Sequence, residues 1–284
     1  MKYRFGPEGE LDMRRAVYSV SVILALVSCA TASSQTMTGH DHGSATPAAA
    51  SASSVPHSGR TVTFPSVAGE GSGYLALPKA GGKHPALVVI QEWWGLNDWI
   101  KGNADRFAAQ GYVALAVDLY RGKSTTDPAV AHELMRGLPE DRANADLKAA
   151  FALLAARPDV DPARIGSIGW CMGGGYSLSL ATTEPRLAAC VINYGRLVTE
   201  PATIAKINAH LLGNFGGKDR GIPPEDVRAF DLALKAAGKS SDMKVYDSAG
   251  HGFMNSNNGE GYDPAATKDA WQRIDAFLSR ALKP

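Results

Sequence analysis

Apart from one apolar stretch at Ala16 to Val27, the first 59 residues show no apolar pattern, and periodicity begins at Arg60. Two short alternating runs, Thr61–Ser66 and Gly73–Leu77, predict paired strands. Continuous apolar runs at Ala86–Ile90, Tyr112–Val117 and Ile165–Gly169 predict strands buried on both faces. Ala188–Asn193, His210–Phe215 and Met243–Tyr246 add three more. Helical spacing runs over Trp99–Gln110 and stops at Gly111. Pro139–Ala156 places apolar residues on one side and charges on the other, as a surface helix does. Pro223–Ala237 and Asp263–Leu282 are two further helices, and a helix-forming run follows Gly173. Strands alternating with helices predict one α/β domain over residues 60–284, a mostly parallel sheet of roughly eight strands flanked by helices. No repeat and no second boundary follow residue 60.

The residues before the domain carry a different message. Met13-Arg14-Arg15 is a short basic region, and Ala16 to Val27 is an apolar stretch too short to span a bilayer comfortably. Residues 1–32 therefore read as an export signal. Leu26-Val27-Ser28-Cys29 resembles a bacterial lipobox, which would make Cys29 the lipidated residue and tether the protein to a membrane. Cleavage near Ala30-Thr31-Ala32 by the ordinary signal peptidase is the alternative. The expected location is the periplasm, with anchoring to the outer membrane if Cys29 is acylated. The true start, Met1 or Met13, stays open. Residues 33–59 are rich in Ser, Ala, Thr, Gly and Pro and cannot bury a core, so they predict a flexible tether. His40, Asp41, His42 and His57 lie in it, but nothing rigid would hold them as metal ligands.

Composition narrows the function classes. The chain has 284 residues, 45% hydrophobic, with a formal net charge of +1. There is no basic run or aromatic-basic stripe to suggest a nucleic-acid partner. Three cysteines are too few for a disulfide framework and have no metal-ligand spacing.

The chemistry is concentrated around Ile165–Thr182. An apolar strand ends in Gly169-Trp170-Cys171-Met172-Gly173 and a helix follows, the G-x-nucleophile-x-G pattern of a nucleophile elbow with Cys as the nucleophile. Chain passes so close on both sides of such a turn that Gly169 and Gly173 are needed. Cys171 would lie at a helix N-terminus, where unpaired N–H groups favour a thiolate. The Met172 N–H would face a developing oxyanion. A buried structural Cys, or a glycine-rich dinucleotide or phosphate turn, fits this stretch alone equally well.

Other strand ends decide between these readings, because reactive residues of parallel sheets gather at the C-terminal ends of strands. Glu92 directly follows a buried strand in Q-E-W-W-G-L-N and is flanked by tryptophans, so its pKa should be raised. The same loop offers the Trp93 N–H as a second oxyanion donor. Asp219 follows two glycines at a strand end in F-G-G-K-D, while Asp226 and Asp231 fall within a helix. His251 sits between glycines in the loop after the last strand, whereas His210 begins a strand. The order nucleophile, acid, histidine is that of the α/β-hydrolase triad. Cys190, in mid-strand, reads as a small buried hydrophobe.

With these motifs in place the sequence resembles the dienelactone hydrolase family of α/β-hydrolases. The likeness rests on Q-E-W-W-G-L-N (91–97), V-D-L-Y-R-G (117–122), G-W-C-M-G-G (169–174), N-Y-G (193–195), G-G-K-D (216–219) and H-G-F (251–253), and spans about Phe64 to Ala281. It implies hydrolysis of a small lactone or ester through an acyl-enzyme, with no cofactor or metal. Carried over, Cys171 attacks, His251 moves the proton, Asp219 orients the imidazole, and Glu92 interacts with the resting thiol. Trp93 and Met172 supply the oxyanion hole. Arg121, Tyr194 and Arg196 are the candidate substrate contacts, with Arg220 a weaker one. The sequence leaves the oligomeric state open, with a monomer favoured over an oligomer. The alternatives are an exported esterase or thioesterase of different substrate, and a non-catalytic binding protein on a hydrolase scaffold. A redox role lacks a resolving Cys near Cys171, and a Cys171–Cys190 disulfide would revive it.

Overall fold

A computed structural model describes residues 57–283. The export signal, Cys29 and the tether as far as residue 56 lie outside the described residues.

The eight strands are β1 (Arg60–Ser66), β2 (Gly69–Ala76), β3 (His84–Ile90), β4 (Val113–Val117), β5 (Val160–Trp170), β6 (Ala189–Asn193), β7 (His210–Gly216) and β8 (Ser241–Tyr246). They form one sheet in the order β1-β2-β4-β3-β5-β6-β7-β8. The β1–β2 and β2–β4 pairings are antiparallel and all others are parallel. The sequence dictates this division. β1 is exposed at most of its positions and can serve as an edge. Every residue of β4 and β6 is buried, as parallel strands covered on both faces must be.

Two cores follow from the two faces. On one, α1 (Asp98–Ala109) and α7 (Pro264–Leu282) bury Ile100, Phe107, Ile274 and Phe277 against Val89, Ile168 and Val191. On the other, α3 (Glu140–Ala155), α4 (Met172–Thr183) and α6 (Pro224–Ala236) bury Phe151, Leu178 and Phe230 against Val88, Val117 and Ile192. Two helices fall outside the sequence expectation, α2 (Pro128–Arg136) and the four-residue α5 (Pro201–Ile204). Ala131 is the one fully buried residue of α2, with Leu134 and Met135 half-buried beside it, a stripe too short to stand out in the sequence.

The expected tether ends earlier than residue 59. His57 Nδ1 lies 3.0 Å from Asp105 Oδ2 and Ser58 Oγ donates to Asp105 Oδ1 at 2.7 Å, which fastens residues 57–58 to α1.

Candidate active site

The elbow follows from its glycines. Cys171 has φ 54°, a left-handed conformation costly for any side chain but Gly. Holding it there brings the start of α4 onto the end of β5. A Cβ on Gly169 would overlap the Gly173 carbonyl, and one on Gly173 would overlap the Ile90 and Gln91 carbonyls. Beneath the turn, Cys171 N donates to the Asn193 carbonyl at 3.0 Å, and Asn193 Nδ2 donates to the Gly169 carbonyl at 3.1 Å. Asn214 Nδ2 in turn donates to Asn193 Oδ1 at 2.9 Å. The strained residue is thus held from below by β6 and β7.

The loops after β5, β7 and β8 bring three predicted residues together. His251 Nε2 lies 3.1 Å from Cys171 Sγ, and its Nδ1 lies 2.7 Å from Asp219 Oδ2. The other carboxylate oxygen of Asp219 accepts from the Gly221 and Ile222 amides at 2.9 and 3.1 Å. Burial pushes the Asp219 carboxyl up, but the His251 ring and these two amides outweigh it and hold it below its usual range. Burial disfavours charge on His251, yet its bonds to Asp219 and Cys171 prevail and raise it above the ordinary imidazole value. A thiol, an imidazole and a carboxylate stand in hydrogen-bonding sequence, the arrangement that a nucleophile, a base and an orienting acid would need.

Glu92 is buried behind them. Its Oε2 accepts from Asn255 Nδ2 at 2.5 Å and its Oε1 from the Tyr194 hydroxyl at 3.4 Å. Desolvation dominates, and its pKa rises from 4.5 to about 7, as its place beside the tryptophans predicts. The thiol is engaged by His251 and not by Glu92, which differs from the expected Glu92 contact. Glu92 instead ties the β3 loop to the β8 loop through Asn255. Nothing in the sequence marked Asn255, because its partner lies 163 residues away. Trp93 and Met172 offer free amides, since neither donates to any other described residue. Met172 N opens α4, where no intrahelical acceptor exists.

Two of the expected substrate contacts are corrected. Arg121 Nη2 donates to the Ala68 carbonyl at 3.0 Å and to both oxygens of Asp146 at 3.2 Å. Asp146 is a buried carboxylate that needs a cation, so Arg121 clamps the β1–β2 turn to α3 and is not free for a ligand. Tyr194 is fully buried, at 0% exposure, with its ring edge-on to His251 at 5.3 Å, and forms a wall behind the imidazole. Arg196 is exposed and lines a cavity beside Met172, and Arg220 is exposed on the surface. Cys190 is buried, lies 3.3 Å from Ser177 Oγ and, like Cys171, is a free thiol. Among the described residues no three His, Cys, Asp or Glu side chains cluster as a cation site.

A mostly parallel eight-stranded sheet with an elbow Cys and a histidine and acid at later strand ends defines an α/β-hydrolase. The chain belongs to the dienelactone hydrolase family, whose model matches residues 72–282. A Salmonella typhimurium protein provisionally named carboxymethylenebutenolidase is 37% identical over 227 residues, covering 75% of this chain and 83% of that one. An Escherichia coli K12 protein of the same provisional name is 34% identical over 248 residues, 81% and 91% of the two chains. A solved dienelactone hydrolase-like promiscuous phosphotriesterase from metagenomic libraries superposes with a TM-score of 0.73 at 27% identity, covering 78% of this chain and 98% of that one.

Proposed function

We propose that the protein hydrolyses a small lactone or carboxylic ester through an acyl-enzyme on Cys171. The observation that carries this reading is the relay Cys171 Sγ–His251–Asp219, at 3.1 and 2.7 Å. Cys171 passes its S–H proton to His251 Nε2 as the sulfur attacks the carbonyl carbon, and the oxygen becomes an oxyanion facing the Trp93 and Met172 amides. His251, held by Asp219, gives its proton to the departing alkoxide and leaves an acyl-thioester. It then takes a proton from water as that water attacks the thioester, and Cys171 leaves as thiolate. Every step uses side chains and amides of this chain.

The test is turnover of aryl esters and simple lactones by the full chain and by C171A. Loss of activity in C171A supports the reading; a C171A rate equal to wild type overturns it. The same proposal places the enzyme outside the cytoplasm, on the strength of Arg14-Arg15, the apolar stretch to Val27 and Cys29. Fractionation with radiolabelled palmitate separates the lipidated form from simple secretion, because C29A loses label only in the first case.

A further inference from the structure

A cavity of about 390 Å³ opens beside the elbow, within the size range of small-ligand sites. One wall is α4 itself. Met172, Gly175, Ser179 and Thr182 line it along one side of the helix, so the cavity begins at the residue after Cys171. At Gly175 a Cβ would come within 3.3 Å of the Arg196 amide; a bare backbone there lets the 196–198 segment lie close as the facing wall. Met135, Met172 and Val198 supply apolar surface of an adaptable kind. At the rim, exposed Glu140 and Arg196 carry opposite charges, so neither sign is favoured in an occupant.

The two sides of the sulfur are unequal. His251, which must meet the leaving alcohol, rests against Tyr194, a member of the α1–α7 core. Cys171 packs on that same core, whereas Met172, whose amide would face the oxyanion, and Tyr176 pack on the opposite one and border the cavity. An acyl group on the sulfur, with its carbonyl oxygen toward the Met172 amide, would reach the cavity past the Met172 side chain.

We infer that this cavity is an acyl-chain subsite and that the preferred substrates are esters of uncharged, unbranched acids longer than acetate. This rests on the ester-hydrolysis reading above. The test uses the full chain and p-nitrophenyl esters from acetate to octanoate. The kcat/KM for hexanoate should exceed that for acetate by about tenfold or more, since each buried methylene favours binding. V198W and M135W, from facing walls, should each bring that ratio to within about threefold of unity. A second measurement needs no hydrolysis: N-hexyl iodoacetamide should alkylate Cys171 faster than N-methyl iodoacetamide, and both variants should erase the difference. Ester cleavage with neither preference overturns the subsite and leaves the hydrolase reading standing. A hexyl preference in alkylation without ester cleavage keeps the subsite and removes the hydrolase reading. Flat series, with V198W changing the apparent mass on gel filtration, would assign the cavity to a second copy of the chain and overturn the inference.

Discussion

At the scale of single residues, the proposed mechanism gives each member of the relay its own task. Removing the sulfur in C171A should lower kcat by about 10⁴-fold or more, and D219N, which keeps the shape but withdraws the anion, by about 10²–10⁴-fold. Ester turnover measured under saturating substrate checks both. Glu92 gives a stability prediction. Its pKa rises from an ordinary 4.5 to about 7 in the fold because burial disfavours its charge. The folded state therefore keeps a proton that the unfolded chain gives up. That contribution is full below about pH 4.5, and is lost as pH climbs through 7, amounting to about 3 kcal/mol in all. E92Q cannot ionise. Urea unfolding should show it gaining on wild type between pH 5 and pH 8. An unchanged difference between the two would mean that Glu92 is charged throughout.

At the scale of elements, the elbow depends on close chain approach more than on sequence propensity. G173A must displace the Ile90 and Gln91 carbonyls, so it should cost about 3 kcal/mol or more and lower activity together with stability. Thermal unfolding against a surface control such as A237G reads this directly. Most strands were legible because the sheet is buried on both faces and its apolar runs are continuous, as in β4 and β6. Helix α2 escaped because it is nine residues long and buries only Ala131 fully, with Leu134 and Met135 half-buried, although Asp127 and Pro128 form a readable cap and first position. Among site residues, Cys171, Asp219 and His251 were legible from flanking glycines and strand ends. Asn255 and the true partner of Arg121 were not, since each is defined by contact with a distant segment. One sequence without its fold holds no trace of which segments meet.

At the scale of the whole molecule, the described domain begins earlier than its first strand. His57 and Ser58 hold Asp105, whose Oδ1 also accepts from the Tyr74 hydroxyl at 2.8 Å. A truncation starting at residue 60 should therefore be less stable than one starting at residue 57, by about 1–2 kcal/mol for the lost hydrogen bonds. Calorimetry of the two truncations decides this, and equal melting temperatures would show the contact to be idle. The bond between Glu92 and Asn255 joins loops that follow β3 and β8, strands with three others between them. Neither residue should be replaced alone by an apolar one in a lineage. A change at one strands a buried polar group on the other, so descendants should alter both together or neither, and a double replacement should be tolerated better than the two single ones would suggest.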